Sequence, residues 1–574
     1  MKSLLPLLAL AALALAAPQQ QQQPPKWYAG LPTVKLPNGE WQAAKYDTAN
    51  DLYVFKNIRF AAPPVGRLRF AKPAPPAPNT TLQLGAYGPS CPQSVPGGLL
   101  PGGLTSSIDV GSFLAGAAGV SEDCLFLDVY VPAKAWSREV GPLPVVNWIY
   151  GGAYLLGNKE GQYDGTPVVR ASGGNLIYVA GNYRLGAFGF LAGETMEKSG
   201  APNAGLWDQR AVLEWIQANI GLFNGDPGAV SVWGESAGAG SILHHLTAFG
   251  GTKPALFKRA VAQSMAYDAQ IDRKGQLEKQ FQEIAKLAGC ATGGIECLRG
   301  VSTAALKAAQ DKYINTLPGG KPGFGPAVDG DLVRQMPPLE LASGNVAKGV
   351  ESIINSHTSD EAKMFTPAKA TDSTFTAVTE HYFGTYPPVK AAIAKKYDVG
   401  RFGGDQVARI HDMFQFSTFT CSSRFVSEGF KGKTYNVQYS RGGGMHGSDI
   451  AADFYVPKTG LAALFTTDRT FGDFATNYQS YLISHARSGD PNKFRGNGTI
   501  AWPAVTWGPT LKNVLDAGDK GFALIEDPVT KEGDCEFWKD AFAGMTSGLG
   551  FAPPGAVVQS SYPPKGNPSA NYKL

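Results

Sequence analysis

The run Val230-Ser231-Val232-Trp233 passes directly into Gly234-Glu235-Ser236-Ala237-Gly238 and then into Ala239 to Leu246, and no other stretch constrains the fold as strongly. A short strand-forming segment enters a Gly-x-Ser-x-Gly turn and leaves it as a helix, the context in which this pattern acts as a nucleophile elbow. The turn forces its serine into a strained backbone conformation, and glycines at 234 and 238 leave room for the adjoining strand and helix. Ser236 is therefore expected at the top of a sheet, beside the positive end of a helix. Without that flanking pattern, the same five residues would read as a Gly-rich turn carrying a solvated serine.

The rest of the chain supplies the sheet. Apolar runs at Leu125 to Val131, Val145 to Tyr150 and Leu176 to Ala180 end at Pro132, Gly151 and the Asn182-Tyr183-Arg184 segment. Between the last of these and the Val230 strand, Leu206 to Ile220 has apolar residues at helical spacing, and Gln276 to Leu287 and Phe471 to Ala486 are similarly patterned. Such alternation predicts an α/β fold with a large, mostly parallel sheet covered on both faces. The chain has 574 residues, 43% of them hydrophobic, enough for a large core. Nothing in its middle reads as a linker, so one enlarged domain is expected over residues 27–552.

The ends and the cysteines speak to compartment. Met1-Lys2-Ser3, the apolar Leu4 to Ala17 and the Ala14-Leu15-Ala16 ending read as a signal peptide over residues 1–17, too short for a membrane anchor. Residues 18–26 form a Gln/Pro-rich spacer, and 553–574 a Pro-, Ser- and Gly-rich tail expected to be disordered. The mature protein is thus expected to be secreted and extracellular. Six cysteines fit an oxidising compartment, with fifteen possible pairings. Asn79-Thr80-Thr81 and Asn497-Gly498-Thr499 are glycosylation sequons. A net charge of +4 without a sustained basic run argues against nucleic acid as a partner. Oligomeric state is not legible.

A serine hydroxyl needs a base to become a nucleophile. The chain has seven histidines. His244 and His245 lie on the helix behind the elbow, facing away from the sheet edge, and read as structural. His446 lies in Gly442-Gly443-Gly444-Met445-His446-Gly447, directly after the strand-like Tyr435 to Tyr439, in a loop shaped to deliver one imidazole. The base in turn needs a carboxylate to hold its tautomer. Asp360-Glu361, just beyond the strand end Ile353 to Ser356, offers two candidates that residue chemistry alone does not separate. Tyr150-Gly151-Gly152-Ala153-Tyr154 follows a strand and can turn backbone N–H groups toward a developing negative charge, with Ala237 adding another.

Together these residues resemble the type-B carboxylesterase/lipase family, the cholinesterase-like branch of the α/β-hydrolases, and in character its secreted fungal members. The likeness is carried by Phe55 to Phe70, by Ser121-Glu122-Asp123-Cys124-Leu125, by Asn203 to Gln209 with Asn219 to Pro227, and by the elbow. It implies an α/β-hydrolase fold and a Ser236–Glu361–His446 triad, with oxyanion donors at Gly152, Ala153 and Ala237. It implies the pairs Cys91–Cys124 and Cys290–Cys297, and Cys421–Cys535 as in cholinesterases. The chain departs from the family at Ala153, Ala362 and Met265, where glycine is usual. The methyl of Ala153 is expected to narrow the acyl side of the pocket.

The implied reaction is ester hydrolysis through an acyl-enzyme, with no metal or cofactor. Glu235 either adds a negative potential to the pocket or serves the elbow structurally. Choline esters are disfavoured, because the 92–123 loop holds no tryptophan and a single aromatic residue, Phe113. That loop is Gly- and Leu-rich, and reads equally as a lipase lid or as a surface loop. A non-catalytic adhesion role is the distant alternative, since Ser236, Glu361 and His446 are all present.

Overall fold

The computed structural model describes residues 30–95, 119–318, 322–456 and 470–546. The expected signal peptide, spacer and C-terminal tail, and residues 96–118 of the 92–123 loop, lie outside these segments.

The strands are β1 (Thr33–Leu36), β2 (Gly39–Gln42), β3 (Lys45–Asp47), β4 (Leu52–Arg59), β5 (Phe126–Pro132), β6 (Leu143–Ile149), β7 (Ile177–Gly181), β8 (Gly225–Glu235), β9 (Arg259–Gln263), β10 (Ser352–Thr358), β11 (Thr434–Tyr439), β12 (Val514–Gly518) and β13 (Gly521–Ile525). The first two form a separate antiparallel hairpin. The others form, among the described residues, an 11-stranded sheet in the order β13-β12-β11-β10-β9-β8-β6-β7-β5-β4-β3. Pairing is parallel from β12 through β7 and antiparallel toward both edges. Successive strand residues point to opposite faces. Every position of β5, β7 and β10, and of β8 from Val230 to Glu235, is buried, so both faces of the central sheet are covered. This is why the central strands read as unbroken apolar runs.

The helices that matter to the site are α1 (Ala204–Asn219), α2 (Ala237–Leu246), α3 (Gln276–Leu287), α4 (Cys421–Gly429), α5 (Phe471–Ser488) and α6 (Glu532–Thr546). Helices α2 and α5 both pack on β6, β8 and β9. Helix α1 braces α2, with Gln209 donating to Ser241 at 2.9 Å and lying 3.1 Å from His245. His244 accompanies them, its ring 2.7 Å from the Gly240 carbonyl. Burial depresses both imidazoles, to about 4 for His244 and about 3 for His245, so they are neutral structural groups.

The signature segments are joined by charge. Arg69 donates to Glu122 at 2.8 Å and Arg59 to Asp123 at 2.9 Å, while buried Arg184 donates to Asp208 at 2.7 Å. Disulfides join Cys91 to Cys124, Cys290 to Cys297 and Cys421 to Cys535, the pairing the resemblance implied. The last ties α4 to α6. Among the described residues no helix is long and apolar enough to cross a membrane.

Candidate active site

The nucleophile candidate stands where β8 gives way to α2. Ser236 has φ 56° and ψ −122°, outside the regions an L-residue ordinarily occupies, and a neighbouring structure must hold it there. The hold is visible in the backbone. Ser236 N–H donates to the Gln263 carbonyl at 2.9 Å, and its own carbonyl accepts from Gly240 at 2.8 Å. A Cβ on Gly234 would lie 2.8 Å from the Ile149 carbonyl oxygen, and one on Gly238 closer still, so the turn needs glycine at both positions.

His446 sits on the loop after β11, with Nε2 2.8 Å from Ser236 Oγ and Nδ1 2.5 Å from Glu361 Oε2. Phe365 and Phe419 wall the ring, with centroids at 5.0 and 4.8 Å. Of Asp360 and Glu361, it is Glu361 whose carboxylate faces His446. Glu361 is fully buried, its second oxygen accepting from Thr358 N–H at 2.7 Å. Asp360 turns away to His411, at 2.7 Å. Alanine at 362 keeps the loop in place through its N–H, which donates to the Gln415 side chain at 3.1 Å. The acid and histidine loops are stitched together where Asp360 N–H donates to the Gly444 carbonyl at 2.9 Å.

The Gly151 to Tyr154 loop lies against the elbow, since a Cβ on Gly151 would come within 3.0 Å of the Ser236 Cβ. Gly152, Ala153 and Tyr154 all have positive φ, of 115°, 55° and 59°. This reversal is stabilised from both sides. Leu155 and Leu156 donate to the Gly152 carbonyl at 3.0 and 3.1 Å, and Tyr154 accepts from Gly186 at 2.7 Å. Ser94 donates to Leu155 at 3.0 Å, and Gln93 accepts from Gly157 at 2.8 Å, so the segment after Cys91 is tied to the same loop. Ala237 is the first residue of α2, where backbone N–H groups have no partner within the helix.

The electrostatics involve more groups than the sequence pointed to. Glu235 Oε1 lies 3.2 Å from His446 Nε2, and Gln263 donates to Asp449 at 3.0 Å and to Asp453 at 3.3 Å. All these side chains are buried. Burial pushes Glu235 up to about 8, against an opposing pull from His446, and pushes Asp449 up to about 7. Asp453 is raised as well, by burial and then by repulsion from Asp449. Burial alone would depress His446, but the carboxylates of Glu235 and Glu361 push it up to about 9. Burial alone would raise Glu361, and the His446 ring holds it below its ordinary value. These groups titrate together. When Glu235 holds a proton its pull on His446 disappears, and the imidazole returns toward the range in which it can act as a base.

Phe365, Phe419, Gln263, Gln415, Asp449 and Asp453 went unread in the sequence. The one local signal was Asp449-Ile450-Ala451-Ala452-Asp453, two acids flanking a small apolar turn three residues after His446.

Known proteins match this arrangement over most of the chain. A profile of the carboxylesterase family matches residues 31–538. A secreted lipase of Arthroderma benhamiae is 36% identical over 535 residues, covering 91% of this chain and 95% of that protein. The carboxylesterase patB of Aspergillus clavatus is 31% identical, covering 92% and 99% of the two chains. The crystal structure of Aspergillus niger EstA superposes with a TM-score of 0.74 at 28% identity, over 89% of this chain and 98% of that one. With the fold, the elbow and these matches in agreement, the chain belongs to the carboxylesterase family and is a carboxylic ester hydrolase.

Proposed function

We propose that this protein is a secreted serine esterase that works through an acyl-enzyme. His446 takes the Ser236 proton as Oγ attacks the ester carbonyl, and Glu361 stays ionised and holds the imidazole in the correct tautomer. The N–H groups of Gly152, Ala153 and Ala237 receive the oxyanion, a contribution worth about 3–4 kcal/mol per donor in related chemistry. His446 then passes its proton to the leaving alcohol, and water repeats the sequence on the acyl-enzyme. The observation that carries this reading is the unbroken chain Ser236 Oγ–His446 Nε2–Glu361, at 2.8 and 2.5 Å, on a strained elbow. Secretion is supported by the leader-like N-terminus, by three disulfides and by a relative named a secreted lipase. Asn79 and Asn497 are exposed, as glycan acceptors must be.

The test is hydrolysis of p-nitrophenyl esters of increasing acyl length by the purified protein and by Ser236→Ala. Turnover surviving that substitution would refute the mechanism. A relative named secreted lipase favours a second reading, action on lipid esters. A sharp rise in rate once long-chain substrate forms an interface would establish it, and a smooth dependence on soluble substrate would establish the esterase.

A further inference from the structure

A second imidazole–carboxylate pair lies behind the acid loop. His357, the penultimate residue of β10, is buried, with Nε2 2.8 Å from Asp527 Oδ2 and Nδ1 2.9 Å from the Thr358 carbonyl oxygen. A carbonyl oxygen only accepts, so Nδ1 carries a proton. Asp527, from the segment after β13, already accepts from Val529 N–H at 2.9 Å, an arrangement that favours its ionised form. It therefore accepts a second hydrogen bond, from Nε2–H. With both nitrogens donating, the ring is an imidazolium.

Thr358 connects this cation to the triad. Its carbonyl accepts from His357 while its N–H donates to Glu361 Oε1 at 2.7 Å. Asp527 and Glu361 face the ring as anions. On α4, which packs against β10, Arg424 is held by Glu428 at 2.8 Å and by the carbonyls of Thr530 and Gly508 at 2.9 and 3.0 Å. On β11 the paired residue is Gln438, which donates to Asp516 of β12 at 3.0 Å.

We propose that His357, clamped as a cation by Asp527, is a positioning residue for the catalytic acid, fixing Thr358 and keeping Glu361 ionised and aimed at His446. The inference rests on the triad reading above. Burial alone would depress His357, but the Asp527 carboxylate pushes it up to about 9. Its folded value is thus raised, so the clamp is complete below the ordinary histidine value of about 6.5 and is lost as pH rises through about 9. A cation here also opposes a second cation at His446. Removing it therefore raises the pH at which His446 loses its proton.

Two measurements on the mature protein test this. With only seven histidines, a spectrum of the 13C-histidine-labelled enzyme can be assigned by loss of one signal in His357→Gln. The His357 signal is expected to stay imidazolium-like at pH 7.5 and to titrate near 9. In kinetics on a short p-nitrophenyl ester, His357→Gln and Asp527→Asn are each expected to lower kcat about tenfold, leave KM within about twofold, and move the acid limb of kcat/KM up by roughly half a pH unit. A merely structural role would lower the melting temperature and leave that limb in place. A neutral His357 at pH 7.5, or folded variants with unchanged kcat and acid limb, would overturn the proposal. If His357→Gln does not fold, Asp527→Asn and the wild-type titration still decide. Failure of the triad reading shows separately, as activity in Ser236→Ala, and leaves the His357 protonation measurement intact.

Discussion

Glu235→Gln is the perturbation with the clearest sign at this site. The substitution keeps the side-chain shape beside Ser236 and removes a carboxyl whose Oε1 lies 3.2 Å from His446 Nε2. At that separation, with an effective dielectric of ~20, two unit charges attract by about 5 kcal/mol, equivalent to nearly 4 pH units. The full amount is not available. Burial raises Glu235 itself to about 8, so it titrates together with His446 and acts as an anion chiefly when His446 is a cation. Burial of the pair takes a further share. The expected effect is that the acid limb of kcat/KM moves to lower pH by about 1–2 units, because the imidazolium has lost one of its two carboxylate partners. The assay is kcat/KM for a soluble p-nitrophenyl ester from pH 4 to 10, with the concentration of competent sites fixed by titration with an organophosphonate. A limb that stays in place, or moves to higher pH, would show that Glu235 does not share a proton with His446 in the free enzyme. The charge analysis of the site would then be wrong.

Further expectations concern the elbow, the core and the acyl pocket. Gly238→Ala puts a methyl against the Ile149 carbonyl and should cost about 1–3 kcal/mol in denaturant unfolding, with loss of esterase activity as the elbow shifts. Arg184→Met leaves Asp208 fully buried without its partner, and should cost about 3–5 kcal/mol in the same measurement. Replacing the Cys421–Cys535 pair opens a cross-link spanning 114 residues and should cost about 4–5 kcal/mol on the chain-entropy account, against about 2–3 for the seven-residue span of Cys290–Cys297. Ala153→Gly suits the local φ of 55° better and removes the acyl-side methyl, so kcat/KM for branched acyl esters should rise relative to acetyl esters.

What could be read from the chain, and what could not, divides by how local the determining interactions are. The elbow was legible because its needs are met within a few residues: a buried strand, two glycines and a helix start. The central strands were legible because burial on both faces leaves an unbroken apolar run. Edge strand β13 was not, since its residues are half-buried or exposed and carry no such run. The choice between Asp360 and Glu361 depends on His411, Gln415 and His446, all fifty or more residues away, so their own sequence neighbourhood holds no trace of it. The resemblance supplied Glu361 where local chemistry stopped.

The buried acids fail to announce themselves for a different reason. Asp449, Asp453 and Asp527 look in sequence like any solvated carboxylate, and become informative only once water is removed. A buried carboxyl must then take a proton, find a cation, or gather N–H donors. Asp449 and Asp453 follow the first course beside a shared Gln263, Asp527 the second with His357, and Glu361 combines the last two. These choices are coupled, because each proton held by Glu235 or Asp449 changes how readily His446 holds its own. On the proposed mechanism, the pH at which Ser236 acquires a working base is therefore set by the whole buried set of acids and not by Glu361 alone.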